Sequence, residues 1–520
     1  MPRTALPRLL VALVALALCA CTDSPSPGLQ PPPEEPPASA QALDFYQVYV
    51  DQNTALGWHS LVLVNVADFT ERIPLGVSAT NFAGTFATLY AGTRDGDVIR
   101  DLRPHSLYYT QGGAWQKVSL RHEGSQTPVR VSSDTPTGLC SGMPYILAPE
   151  LGSSTGARLL YVLAGPDTFC GTSDDVSRSV SVDASPTTPP DPGVPGWPIA
   201  EFRDEQGDLT GLLVDGSSGL HLYDASLSQA TMITAMRGSF FGPVLARSRA
   251  EALVALEDNS VHRVDASGGI TEKLPPGADL QYSALSDGSH SYVVARPFSA
   301  GESRVLYRIA GGGEPTVTLW DTEEDVFCVG FTSESIILAV GPYGNQELRL
   351  LPKTADGTQV PQPVAELPAG LLDMIGPSSP LLFNVADVAY RLDADGVLTS
   401  YPASTWLGFQ HAADMSVSGW PLHGFTDPVK AGAFRIDGFD PAHRHLNGTV
   451  RLIDLENDVA RDITQVATEE YVRAFGARGS VGMGLFWDEE QFDVFSFDLD
   501  DGRLERHTDG TATDETEFSY

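Results

Sequence analysis

The feature that most constrains this chain is an internal repeat. The segments SVSVDASPTT, LHLYDASLSQ and VHRVDASGGI align on Asp183, Asp224 and Asp265, so one pattern returns after 41 residues and again after 41. Each segment alternates apolar and polar residues with the period of a strand and ends on an Asp that can close a turn through its own side chain. VAYRLDADGVLTSYP restores the pattern at Asp393, 128 residues beyond Asp265, which leaves room for three such steps. SRVLYRIAGGGEPTVTLW and NQELRLLPKTADGTQ fill the two intermediate places without an Asp at the aligned position. Further turns follow at Asp454, 61 residues after Asp393, and at Asp498, 44 residues later.

A second apolar run precedes most of these strands, as in GLLVDGSSGLHLYD and PLLFNVADVAYRLD, and another strand follows the turn, as in GGITEKL. Four short antiparallel strands in roughly 41 to 45 residues make the pattern of a propeller blade. A lone hairpin cannot bury both faces, whereas stacking each blade between two neighbours buries both and leaves only short edges. The expected fold is therefore all-β, a β-propeller of seven or eight four-stranded blades. Two β-sandwich-like domains are the alternative, because alternation and turns occur there too. WHSLVLVNV, FATLYAGTRDGDVIR and HSLYYTQGGAWQKVSL add one blade or an irregular pair upstream. A ring closed through its termini would carry residues near 55 to 66 to the last blade, or lend that blade an N-terminal strand.

Two stretches interrupt the repeat. Residues 185–198, SPTTPPDPGVPGWP, hold six prolines in 14 residues and cannot form a central strand, so they read as a loop or a junction. Residues 401–450 lengthen one repeat and read as an insertion on a propeller face, where binding residues tend to sit. In overall look the repeats are similar to those of bacterial propeller lipoproteins of WD40-like or quinoprotein-like shape. The WD dipeptide itself occurs twice, at Trp320-Asp321 and Trp487-Asp488, not once per blade.

The N-terminus carries Arg3 and Arg8 ahead of the apolar run Leu9 to Leu18, which is too short to cross a hydrocarbon core of about 30 Å and fits a cleaved secretory signal. The order Leu18-Cys19-Ala20-Cys21 resembles the bacterial lipobox. That resemblance implies a lipoprotein signal peptide over 1–20, cleavage before Cys21, and lipidation of Cys21. With Thr22 in the next position it also implies a bacterial cell-envelope protein anchored by its lipid in the outer membrane. Residues 21–41 hold seven prolines and read as an extended tether, since they have too little apolar surface to offset the entropy of ordering. Residues 42–520 form the propeller domain.

Formal charge is −35, from 67 acidic and 32 basic residues, the wrong sign for replacing phosphate counterions; no nucleic-acid partner is expected. Of the three cysteines beyond Cys21, Cys140 and Cys170 lie in loop-like contexts and are expected to form a disulfide in an oxidising compartment. Cys328 sits in the apolar run DVFCVGF and reads as a core thiol.

The remaining chemistry is sparse. His411, His443 and His445 are the metal candidates, although unrelated surface histidines explain them as well, and no cofactor is expected. Trp406, Phe409 and Trp420 are candidates to line a sugar or peptide cleft. The string Gly152-Ser153-Ser154-Thr155-Gly156 matches G-x-S-x-G, but it lies between two apolar runs and reads as a hairpin turn in place of a nucleophile elbow. The chain thus reads as an envelope-anchored binding or scaffolding protein, leaning away from an enzyme. Its partners would be the membrane through the lipid, and an envelope protein or glycan. The alternative is a propeller-face lyase or hydrolase acting on an extracytoplasmic substrate.

Overall fold

The computed structural model describes most residues between Phe45 and Ser519; residues 1–44 and connecting stretches such as 79–85, 149–155, 185–193, 412–431 and 441–444 lie outside the described residues. Every described element is a strand. Among the described residues no helix is long and apolar enough to cross a membrane.

Eight sheets have four strands each and a ninth has seven. The first joins Tyr46–Asn53, Trp58–Asn65 and Arg72–Ser78 to the C-terminal strand Asp514–Ser519, which lies beside Tyr46–Asn53. The other four-stranded sheets are simple meanders. The second runs through Phe86–Asp95, Val98–Gln111, Ala114–Ser119 and Val129–Arg130, and the third through Tyr145–Leu147, Arg158–Leu163, Val176–Ser181 and Val194–Pro195. The fourth holds Trp197–Arg203, Leu209–Gly216, Gly219–Asp224 and Ala230–Thr234; the fifth holds Val244–Arg247, Glu251–Ala255, Val261–Asp265 and Ile270–Leu274. The sixth spans Leu280–Ser286 to Val317–Thr322, the seventh Val326–Phe331 to Gln362–Pro363, and the eighth Leu372–Met374 to Leu398–Ser400. The ninth begins with Thr405–His411, Gly432–Asp440 and His445–Asp454 and ends with Val481–Trp487, Phe492–Asp498 and Leu504–Arg506.

Between those two halves of the ninth sheet runs the 20-residue strand Val459–Arg478. Its residues up to Glu470 pair with His445–Asp454, and those from Tyr471 pair with Val481–Trp487. No described residue of it pairs on both sides, so the seven strands are two four-stranded units sharing one long strand. The sheets therefore outnumber the seven or eight expected. The eight turn places from Asp183 to Asp498 each follow the third strand of one such unit, and two further sheets precede them. Nor does the C-terminal sheet borrow an N-terminal strand: Trp58–Asn65 stays inside the first sheet, and Asp514–Ser519 is lent to it.

The aspartate of the repeat closes its turn as its chemistry requires. Asp265 Oδ1 accepts from the Ser267 amide at 2.9 Å, the Ser267 hydroxyl at 2.6 Å and the Gly269 amide at 2.9 Å. Asp224 accepts from the Ser226 hydroxyl at 2.9 Å and the Gln229 amide at 3.2 Å. Where the first sheet turns after its third strand in spatial order, Asn65 takes the role and accepts from the Ala67 amide at 2.8 Å.

Of the described residues, one compact unit holds Ile233–Leu407, and the other holds those up to Met232 together with those from Gly408 on. Within each, consecutive sheets share cores. In the second unit, Leu107 and Tyr109 pack with Val48, Val50 and Leu61 of the first sheet, while Tyr108 of the same strand packs with Leu159 and Tyr161 of the third. Leu160 and Val162, from the other face of the third sheet, meet Leu212 and Val214 of the fourth. In the unit Ile233–Leu407, Ile336 and Leu338 join Tyr292 and Leu306 of the sixth sheet, and Ile337 and Ala339 join Leu381 and Phe383 of the eighth. One residue of register thus decides which neighbour a side chain serves, which is why these strands read as nearly continuous apolar runs. First strands of successive sheets also lie side by side, Val244–Arg247 against Leu280–Ser286 and Leu280–Ser286 against Val326–Phe331.

The proline-rich stretch ends as a junction. Val194–Pro195 is the edge strand of the third sheet and Trp197–Arg203 the edge strand of the fourth, so Pro195 and Pro198 both occupy edges, as proline must. Gly196 between them has φ +111°, and a Cβ there would stand 2.5 Å from the Asp215 carbonyl oxygen; its own amide donates to the Asp175 carbonyl at 2.8 Å. Only glycine fits this passage.

Candidate functional site

The residues singled out in the sequence fall partly on strands and partly outside the described residues. Trp406, Phe409 and His411 fall on the strand Thr405–His411, and His445 opens the strand His445–Asp454; Trp420 and His443 lie outside the described residues. The stretch 401–450 is thus in part regular sheet. Among the described residues no group of three or more His, Cys, Asp or Glu is placed to hold a metal ion. Gly156 of the G-x-S-x-G string precedes the strand Arg158–Leu163, and no helix occurs there among the described residues.

The disulfide between Cys140 and Cys170 is present, with Cα atoms 5.6 Å apart. Cys328 is free and partly exposed, yet it packs against the core shared by the sixth and seventh sheets, and burial pushes its thiol up to about 12. It is therefore protonated and a poor nucleophile. Nearby, Asp287 accepts from the amides of His290 and Ser289 and from Tyr292 Oη at 3.2 Å, and Lys353 Nζ lies 3.1 Å away. Burial works against the Asp287 charge, but those amides and Lys353 outweigh it and hold the carboxyl below its ordinary range. Tyr292 is fully buried and pushed up by desolvation. This group stitches two sheets and offers no accessible base.

Two histidines missed in the sequence stand 41 residues apart, at one place of the repeat. His262 Nε2 lies 2.9 Å from the Ser260 hydroxyl, which donates to Asp258 at 2.5 Å. Burial lowers the His262 pKa against the opposing pull of Glu272 and Asp258, so the ring is neutral, and Nδ1 is sealed without a described partner. The hydroxyl already faces a carboxylate, and the free ring nitrogen is shut off from substrate.

His221 differs in the respect that matters. Its Nε2 lies 2.8 Å from the hydroxyl of Ser218, and Ser218 is exposed on the hairpin Gly216-Ser217-Ser218-Gly219. Gly219, paired with Gly216 across the turn, re-enters the strand at φ +118°, a conformation that favours glycine. His221 sits opposite Val214, and Tyr223 opposite Leu212, so all four share the face that meets Cys140, Leu160 and Val162 of the third sheet. A hydroxyl within hydrogen-bond reach of an imidazole is the minimal nucleophile and base pair of acyl transfer. The signal for it was GSSGLH beside its repeat-mate NSVH, a serine two or three residues before a histidine at the head of a strand.

No family model and no curated protein matches the chain. Solved structures do resemble it loosely. An oligogalacturonate lyase in complex with manganese is 11% identical, with 57% of this chain and 73% of that one covered and a TM-score of 0.30. A puromycin-hydrolysing peptidase of Mycobacterium tuberculosis is 11% identical, with 72% and 53% covered and a TM-score of 0.34. Dipeptidyl peptidase 4 of Porphyromonas gingivalis is 10% identical, with 81% and 65% covered and a TM-score of 0.39. This chain spans less than two thirds of either peptidase. The names of these structures are those of enzymes, against the expectation that leaned away from one, and at this degree of likeness they carry no activity, substrate or site residue to this chain.

Proposed function

We propose that the chain is a hydrolase working from a propeller of four-stranded blades, held in the bacterial envelope through Cys21. The propeller reading is supported by the cores shared between successive sheets and by the loan of Asp514–Ser519 to the first sheet. The anchor and the outer-membrane location rest on the order Leu18-Cys19-Ala20-Cys21 and the proline-rich tether. The observation that carries the activity is the pair of exposed Ser218 and half-buried His221, 2.8 Å apart.

With its proton on Nδ1, His221 takes the Ser218 proton at Nε2 as Oγ attacks an acyl carbon, then returns it to the leaving group; water repeats the cycle to free the serine. Among the described residues no carboxylate is hydrogen-bonded to His221. In a triad, replacing the carboxylate that holds the histidine costs roughly 10⁴ in kcat. Turnover is therefore expected on activated esters before amides. A fluorophosphonate probe should label Ser218 in the wild type, and Ser218→Ala and His221→Ala should each abolish hydrolysis of p-nitrophenyl acetate. Wild-type hydrolysis in both variants would refute the assignment.

A further inference from the structure

Gly196 links the Ser218 hairpin to the chain that follows the disulfide: its amide bonds the carbonyl of Asp175, five residues past Cys170, and a β-carbon on it would meet Asp215 and Gly216 at the start of the hairpin. Behind them, Cys140 shares its core with Val214, the residue opposite His221. The loop closed by the disulfide is built to hold one shape. Thr168 takes φ +64°, unusual for a residue with a β-carbon, and its amide donates to the Gly165 carbonyl at 2.9 Å. The Phe169 amide donates to Asp167 Oδ1 at 2.8 Å, the Asp167 amide to Asp174 Oδ2 at 3.2 Å, and the Gly165 amide to Asp175 Oδ1 at 3.1 Å. Cys170, next to Phe169, carries the disulfide. The outcome is a phenyl ring 70% exposed, flanked by the exposed carboxylate of Asp167.

A backbone held by a left-handed residue, side-chain capping and a crosslink displays this ring partly pre-organised for contact, because the entropy of ordering that backbone is already lost. From these contacts we infer that Phe169 and Asp167 form the specificity wall of the Ser218 site, which selects an ester or amide whose acyl group is apolar and carries a positive charge. The apolar part lies on Phe169, the charge faces Asp167, and the acyl carbon reaches Ser218. This rests on the hydrolase reading above.

The test compares p-nitrophenyl butyrate with its 4-trimethylammonio analogue in the wild-type full chain. Higher kcat/KM for the cationic ester is expected. Phe169→Ala should raise KM for both esters, by about tenfold for loss of an aromatic anchor, with kcat nearly kept. Asp167→Asn should lower the preference for the cationic ester by roughly two- to fivefold, as befits an exposed charge pair. Fluorophosphonate labelling of Ser218 is read in parallel. Unchanged KM and preference in variants that still label at Ser218 would overturn the specificity wall alone. Absence of labelling in the wild type would overturn the hydrolase reading and this inference with it.

Discussion

Replacing Cys170 by serine isolates the contribution of the crosslink. Cys170 is exposed, whereas Cys140 is fully buried and would remain in its core as a thiol, so the substitution opens the 30-residue closure without excavating a cavity. The loop-entropy relation gives about 3 to 4 kcal/mol for a closure of that length, a factor of a few hundred in the local opening equilibrium. The amides that report it are Cys140, bonded to the Val162 carbonyl at 2.9 Å, and Ala164, bonded to the Gly138 carbonyl at 2.8 Å. Hydrogen exchange at these two should accelerate by up to about that factor. The amide of Val364, bonded to the Leu348 carbonyl in the unit Ile233–Leu407, should hold its protection. Acceleration below about threefold at Cys140 and Ala164 would mean that the remaining contacts of the third and fourth sheets restrain the loop by themselves, and the entropic argument would fail. Equal loss at Val364 would refute the local character of the effect.

Three other outcomes follow from the same geometry. Asp265→Ala removes three hydrogen bonds from its turn and should cost about 1 to 2 kcal/mol, read as a fall in the denaturation midpoint. The Ser267 hydroxyl, aided by the Gly269 and Ser267 amides, holds the Asp265 carboxyl below its ordinary range, so its contribution is present above about pH 4 and lost as pH falls further; the variant should lack that part of the acid sensitivity. Because burial depresses the His262 pKa, unfolding takes up a proton there, and stability should decline as pH drops below about 6.5; His262→Gln should flatten a melting profile between pH 7 and pH 5, and an unaltered slope would contradict the burial argument. Cys328 should resist iodoacetamide at pH 8 in the folded chain and react after denaturation; fast labelling of the native protein would show that the thiol is not held up by burial.

The repeat was legible because its cause is local. A strand of period two ending on Asp, such as VHRVD closed by Asp265, needs only its own turn to make sense, and that turn forms as the side chain dictates. The Cys140 and Cys170 pairing was legible too, since few thiols were available and both lay between apolar runs. The candidate residues of 401–450 were chosen for their kind and their crowding along the chain, and the structure describes only those on the strands Thr405–His411 and His445–Asp454.

What the sequence alone determined about this protein is therefore its period, its all-β character and the chemistry of its turns, because these depend on residues within a few positions of one another. Tertiary structure decided how many sheets form, that Val459–Arg478 serves two halves of one sheet, and that the last strand completes the first sheet, since strand pairing is set by partners hundreds of residues away. It also decided that His221 is half-buried beside an exposed serine while His262 is buried. His221 and His262 share a place in the pattern and a serine on Nε2, but only burial, a property of the surrounding sheets, separates an accessible base from a sealed one.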